Sequence, residues 1–153
     1  MLKFDDGGLR NVWLANGYET RKTPYGDATA IHDLDGLIYS ICATLVRKPG
    51  HLTGAEFRYL RQHLLLSQAS LGRLLGVSEQ SVALWEKRSR IPLLADKHLR
   101  LLWSERHDGN ETIARVMQRV NDVERLIHQR LVLKTTPRRG WQAKAEPTEE
   151  AEA

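Results

Sequence analysis

The spacing of apolar residues predicts a short extended part at the start of the chain and helices after it. Residues 11–19 and 28–32 are rich in strand-forming residues, and the turn sequence TPYGD at 23–27 lies between them. This pattern predicts a small two-stranded unit. A tight turn at Asn16-Gly17 is the alternative, and it would shorten the strands.

A helix is expected to follow and to cover the two strands, because a hairpin alone is only marginally stable in water. Asp33 or Asp35 can cap its N-terminus, and the sequence KPG at 48–50 ends it. One side of this helix is apolar and consists of Leu34, Leu37, Ile38, Ile41 and Leu45.

The next stretch carries start and stop signals for three short helices. Thr53 and Glu56 form a capping-box pair for the first, which is predicted to end near residue 65. Ser67 can cap the second, over 68–75, and Gly76 ends it because glycine enters the left-handed conformation at little cost. Ser78 can cap the third, over 79–87, so the two helices are joined as in a helix-turn-helix.

Steps of 100° per residue divide the third helix into two sides. The side expected to pack holds Val82, Trp85 and, at its edge, Glu86. The opposite side is available for contacts with a binding partner and consists of Gln80, Ala83, Leu84 and Lys87. On the second helix the residues expected to face the core are Leu71, Leu74 and Leu75, and Gly72 is expected to let the helices approach closely.

This stretch resembles the Xre or lambda-repressor type of helix-turn-helix. It matches the pattern R-x5-S/T-Q-x2-L-A/G-x2-L-G-V-S-x3-V/I-x2-W/L-E, and the resemblance covers about a third of the chain, from Thr53 to Trp103. The Gln that opens the second helix in that family contacts a phosphate, which implies this role for Gln68. The third helix enters the major groove, which implies base contacts by Glu79, Gln80, Ser81, Ala83 and Leu84.

The family's Arg to Glu pair, which braces the first helix against the recognition helix, corresponds to Arg61 and Glu86. Two departures concern the loops. Leu65 stands where many members have Gly or a polar residue, and KRSR at 87–90 replaces the usual Asn-Gly or Arg-Gly. The basic residues in that second loop can hold the DNA backbone, and they are Lys87, Arg88 and Arg90.

A fourth helix is predicted from Pro92 to Trp103, with apolar residues available to close the core: Leu93, Leu94, Leu99, Leu102 and Trp103. A long helix over 111–133 is predicted from one apolar stripe. That stripe either packs within the chain or forms a dimer with a second copy, and DNA readers with two half-sites favour the dimer. The tail over 135–153 has no apolar period and is expected to be disordered, with Trp141 an incidental aromatic or a partner contact.

The fold class is therefore mainly α, with four parts. These are a small β/α N-terminal module over 1–50, a helix-turn-helix domain over 51–105, a C-terminal helix over 110–134 that is a candidate for dimerisation, and the tail over 135–153.

Charge adds to this picture because it is uneven. The chain carries a formal net charge of +4 at pH 7. Residues 53–103 hold 8 basic and 4 acidic side chains, whereas the two signs balance in each of the segments 1–52, 104–133 and 134–153. The whole excess therefore lies in the helix-turn-helix segment, as expected of a surface that binds phosphates, although an ordinary solvated face is the alternative.

Other chemistry is not indicated by the sequence. A single cysteine, Cys42, excludes an intrachain disulfide and a multi-cysteine zinc site, and the six His residues lack metal-ligand spacing. No signal-peptide region or membrane-spanning apolar run is present. We therefore expect a cytoplasmic bacterial protein, associated with the nucleoid when bound to DNA, that is not an enzyme and has no cofactor, metal or membrane partner.

Two functions remain open. The first is a dimeric repressor that binds double-stranded DNA at an inverted repeat. The second follows from a weaker resemblance of the sequence YETRKTPYGDATAIHDLDGL at 18–37 to the N-terminal part of MqsA-like antitoxins, which implies that the N-terminal module neutralises a toxin protein while the same DNA domain regulates the operon. The zinc-binding cysteines of MqsA are missing here, so no zinc role is implied.

Overall fold

A computed structural model describes residues 1–107 and 129–147 of the chain. The helices within these residues are α1 (Leu34–Val46), α2 (Gly54–His63), α3 (Gln68–Leu75), α4 (Glu79–Arg88) and α5 (Leu93–His107). The strands are β1 (Leu2–Lys3), β2 (Val12–Leu14), β3 (Tyr18–Thr23), β4 (Gly26–Ile31), β5 (Gln129–Thr136) and β6 (Gly140–Pro147). Helices predominate, in partial agreement with the mainly α prediction, but six strands are more than the sequence predicts.

The chain divides into two compact units. The sheet unit comprises Met1–Ile41 and His128–Ala153, and the helical unit comprises Cys42–Ile127. This division differs from the predicted segments, because the boundary falls inside α1 and the C-terminal segment joins the N-terminal module. None of the helices within residues 1–107 and 129–147 is long and apolar enough to span a membrane.

The larger sheet of the sheet unit has the strand order β1-β2-β5-β6. β2 and β5 are parallel, with Val12 opposite Leu131 and Leu14 opposite Leu133, whereas the other neighbours are antiparallel. Residues opposite each other lie on the same face of a sheet, and these four residues are at most 3% exposed. One buried face thus combines residues from both ends of the sequence.

The predicted first strand over 11–19 is two strands in two different sheets. The chain bends between them at Asn16 and Gly17, where glycine has a φ of 81°. The Asn16 side chain replaces a strand residue there, since its Nδ2 donates to Thr135 O at 3.1 Å and its Oδ1 accepts from Thr135 N at 2.7 Å. The bend is therefore not the alternative hairpin turn.

β3 and β4 form the predicted hairpin, with Pro24 and Tyr25 at its turn. The second strand begins at Gly26, two residues before the predicted start at residue 28. Residues 19–30 are all exposed, so the expected cover by a helix is not found among the described residues.

The C-terminal predictions are wrong where the structure describes them. The end of the predicted helix, residues 129–133, belongs to β5, and the predicted disordered tail contains the rest of β5 and, up to Pro147, β6. Leu131 and Leu133 are buried while Lys134 is exposed, and this alternation is the period of a strand. Residues 108–128, with most of the predicted helix, lie outside the described residues.

Trp141 is a core residue rather than an incidental aromatic. Its Nε1 donates to the carbonyl oxygens of His32 and Asp33 at 3.1 Å, and its carbonyl oxygen accepts from Ser40 Oγ at 3.1 Å. A Cβ on Gly17 would overlap its ring. Trp141 therefore connects β6 to the bend before β3 and to the start of α1.

A buried ionic network fixes the connection between α1 and α2 in the helical unit. Arg100 lies on α5 and donates to Lys48 O at 2.6 Å and Gly50 O at 2.7 Å, while its Nε donates to Asp96 at 2.6 Å. The second oxygen of Asp96 accepts from Leu52 N at 2.8 Å. Because both charges are fully buried and hydrogen-bonded, loss of either partner would leave the other uncompensated.

Candidate nucleic-acid interface

The turn between α3 and α4 forms as the sequence predicts. Ser67 caps α3 by accepting from Ser70 N at 3.0 Å, and Ser78 caps α4 by accepting from Ser81 N at 3.1 Å. Gly76 ends α3 in the left-handed conformation with a φ of 73°. The start of α4 is therefore fixed by local hydrogen bonds.

Gly72 allows a close contact, although not the one predicted. A Cβ at this position would lie 2.7 Å from Val77 O, so the glycine makes room for the turn rather than for the neighbouring helix. Leu71 is buried as predicted, but Leu74 is 55% exposed and Leu75 is half-buried. On α5, Leu93 and Leu94 are exposed as well, so the core is closed mainly by Leu99 and Trp103.

The two sides of α4 agree with the prediction. Val82 is fully buried, and Trp85 contacts Phe57 edge to face with ring centroids 6.4 Å apart. On the other side Gln80 and Leu84 are exposed, and Ala83 is half-buried between them. Near the cap, Glu79 is exposed and Ser81 half-buried, with its hydroxyl 3.0 Å from Ser78 Oγ.

The predicted brace between Arg61 and Glu86 is present. Arg61 Nε donates to Glu86 Oε2 at 2.8 Å, and Arg61 Nη2 donates to Oε1 at 3.0 Å. The side chains are 8% and 5% exposed, respectively. The remaining Arg61 donor group, Nη1, reaches Leu66 O at 2.8 Å, so one side chain joins α2 to the loop before α3 and to α4.

Gln68 takes part in this brace, which the sequence did not indicate. Its Nε2 donates to Glu86 Oε1 at 3.1 Å, and the side chain is half-buried. Two donors thus converge on one carboxylate, and Gln68 lies at the first turn of α3, where the predicted phosphate contact would be made.

A second contact holds the end of α4, and sequence reasoning missed it. Ser89 ends the helix in the left-handed conformation with a φ of 50°, and its Oγ accepts from Gly54 N at 2.7 Å. A Cβ on Gly54 would overlap the carbonyl oxygen of Glu86. The start of α2 therefore lies directly against the end of α4.

The exposed charges near α4 are mostly basic. Lys87, Arg88 and Arg90 are all exposed, as the predicted phosphate contacts require. The side chain of Glu86, the acidic residue beside them, is only 5% exposed and is paired with Arg61. Residues 87–90 at the exit from α4 consequently present three positive charges, and none of these four residues carries a carboxylate.

Cys42 is not suited to nucleophilic chemistry. Burial raises the pKa of its thiol to about 12, and a hydrogen bond with Trp103 lowers it to a smaller extent. The thiol is therefore neutral at physiological pH. Residues 1–107 and 129–147 contain no group of three or more His, Cys, Asp or Glu side chains that could hold a metal ion.

Comparison of the chain with protein-family models, with curated proteins and with solved structures finds no match.

Proposed function

We propose that this chain is a sequence-specific DNA-binding transcriptional regulator that acts as a dimeric repressor. The observation that carries the proposal is the exposed side of α4. A short helix is capped at its start, held at its end and packed by Val82, while it presents Gln80, Ala83 and Leu84 outward. A major groove admits an α-helix with such a face.

The exposed residues suit direct readout of bases. The amide of Gln80 can both donate and accept, which matches N6 and N7 of adenine, and the apolar Leu84 and Ala83 suit the methyl group of thymine. Glu79 can accept from N4 of cytosine, or it can interact with the positive end of the helix dipole.

Residues around α4 are proposed to contact the phosphates of the DNA backbone. Lys87, Arg88 and Arg90 are exposed at its end, and Gln68 lies at the start of α3. Contacts to phosphates position a protein on DNA without reading its sequence. Gln68 remains suited to such a contact because its amide has a second N–H besides the one that Glu86 accepts.

The test compares Gln80→Ala with Arg88→Ala on a panel of operator variants. We expect Gln80→Ala to lose roughly 1–3 kcal/mol of discrimination at one base pair, and Arg88→Ala to weaken binding to all sequences alike and to reduce its salt dependence. Genomic footprinting with the tagged protein first supplies the operator, and the double variant should lose the peaks.

Matched controls make the same chemical changes elsewhere on the surface. Gln62→Ala on α2 and Arg138→Ala in the turn between β5 and β6 alter exposed side chains and should leave the footprint unchanged. Relative affinities that stay the same across operators in Gln80→Ala would remove Gln80 from the readout, and peaks indifferent to both α4 variants would refute DNA reading by α4.

The footprint also identifies the operon in which the repressor and the antitoxin alternative can be told apart. Both would bind an inverted repeat near the protein's own promoter. A toxin-sized reading frame beside that promoter, together with co-purification of its product, would favour the antitoxin.

A further inference from the structure

The β3–β4 hairpin presents both faces to solvent. Six residue pairs join its strands, from Tyr18 opposite Ile31 to Thr23 opposite Gly26, and residues 19–30 are all exposed. In the described part of the chain this sheet has only two strands, so the outer edge of each lacks a neighbouring strand. A two-stranded sheet gains stability when further strands join it.

The hydrogen-bond pattern shows which backbone groups of β3 point outward. His32 N donates to Gly17 O at 2.8 Å, so this pair is hydrogen-bonded. Bonded and non-bonded pairs alternate along an antiparallel ladder, which makes Glu19 and Arg21 bonded positions. The alternate positions are non-bonded, so their N–H and C=O groups point away from β4. These positions are Tyr18, Thr20 and Lys22.

We propose that the outer edge of β3 pairs antiparallel with the same edge of a second copy of this chain. The product is a four-stranded sheet with the order β4-β3-β3-β4, in which Thr20 lies opposite the second copy's Thr20. Such an isologous contact closes on itself as a dimer.

Charge complementarity favours a second copy of this chain as the partner of β3, and it favours the register centred on Thr20. With Thr20 at the two-fold axis, Glu19 of each copy lies opposite Arg21 of the other, in a non-bonded pair where side chains are closest. Moving the axis to Glu19 would place two carboxylates opposite each other, and moving it to Arg21 would oppose two guanidinium groups. Of these three registers, only the one centred on Thr20 is free of like-charge pairs.

The two charges already interact within one chain. Arg21 Nη2 lies 3.3 Å from Glu19 Oε2, and the side chains are 77% and 70% exposed. Both therefore lie on the same face of β3. In the paired sheet four charges would alternate in sign, so each carboxylate would have two guanidinium neighbours.

The side chains of β4 do not specify a register for self-pairing of its outer edge in the way that those of β3 do. Its outward groups belong to Asp27, Thr29 and Ile31, and no pair of opposite charges forms when Thr29 lies on the axis, since Asp27 then faces Ile31. A register that side chains do not specify is prone to slippage. Pairing β3 of one copy with β4 of another would be heterologous and would not close unless it formed a ring.

This inference goes beyond the proposed DNA binding, because self-association is measured without DNA. Sedimentation velocity is recorded on the full chain, on Glu19→Arg, on Arg21→Glu and on an equimolar mixture of the two variants. We expect the unaltered chain to dimerise and each variant alone to dissociate, with a dissociation constant raised about tenfold or more. The mixture should dimerise again, because every opposed pair then has opposite signs.

The restored dimer in the mixture separates a lost contact from a misfolded chain. Thr29→Arg is the matched control, since it adds a charge to the other edge of the hairpin and should leave the dimer intact. A monomeric unaltered chain, a dimer that persists in both single variants, or dissociation caused by Thr29→Arg would each overturn the inference. Footprinting is a separate measurement, so loss of the dimer contact alone would leave α4 as the proposed DNA reader.

Discussion

At the scale of single residues, two non-glycine positions within residues 42–107 adopt the left-handed conformation and differ in what compensates for it. Ser89 has a φ of 50°, and its hydroxyl accepts the hydrogen bond from Gly54 N. Leu65 has a φ of 59° and is 89% exposed, so its side chain contributes little to packing. Leu65, which departs from the Xre-type sequence pattern, therefore has a strained backbone that no packing of its side chain offsets.

We predict that Leu65→Gly stabilises the protein. Relief of the left-handed conformation is worth roughly 1–2 kcal/mol, and the greater freedom of glycine in the unfolded chain offsets part of it, which leaves a gain of about 0.5–1 kcal/mol. Urea denaturation measures the change. Ser89→Gly is the matched control, because the same relief is offset there by the lost hydrogen bond. A fall in stability for Leu65→Gly would contradict this account.

At the scale of elements, α4, the proposed recognition helix, is capped at its start by Ser78 and held at its end by α2. The Arg61 to Glu86 pair and the contact of Gly54 with the Glu86 carbonyl lie within the last turn of α4. The orientation of the exposed residues on α4 consequently depends on the start of α2, although Gly54 lies 35 residues before Ser89 in the sequence.

Gly54→Ala tests this junction. The added methyl group meets a backbone carbonyl that cannot rotate away, so we expect a loss of about 3 kcal/mol, at the upper end of the usual overpacking cost. Thermal unfolding followed by circular dichroism measures it. Gly36→Ala, also in the first turn of a helix, is the control, because the nearest atoms there belong to the Asp33 side chain, which can move. Equal effects of the two changes would argue against a rigid junction.

The same elements show what the sequence can and cannot predict. Thr53, Ser67, Gly76 and Ser78 act through neighbours within a few residues, so their roles as caps and stops were predicted and are confirmed. The face of α4 followed from helical spacing. The contact of Gly54 with Ser89 joins residues whose proximity no local pattern encodes, and it was missed for that reason.

At the scale of the whole molecule, the missed elements are those that depend on distant partners. β5 and β6 lack strong local signals, and β5 is a strand because it lies between β2 and β6. Arg100 likewise reaches two carbonyl oxygens in the connection after α1, those of Lys48 and Gly50, which lie 52 and 50 residues away in sequence. DNA binding by the exposed side of α4 stays a prediction.

Trp141→Ala should show how much the sheet unit depends on its C-terminal segment. Loss of a buried tryptophan costs roughly 3–5 kcal/mol, and here two hydrogen bonds to carbonyl oxygens are lost as well. Hydrogen exchange should report lost amide protection in β2, β5 and β6 and retained protection in α2 to α5. Trp13→Ala, at a half-buried position of β2, should have a smaller effect. Equal loss of protection in both units would show that they unfold as one.

The pairing of β2 with β5 also bears on how the protein is made. Asn16 and Thr135 are hydrogen-bonded although they lie 119 residues apart in sequence. During synthesis the N-terminal strands leave the ribosome first, yet their partner is translated only after the whole helical unit. The apolar side chains of Val12 and Leu14 therefore stay exposed until β5 is translated. The helical segment is ready to fold earlier, because its partners, such as Arg61 and Glu86, are translated before β5.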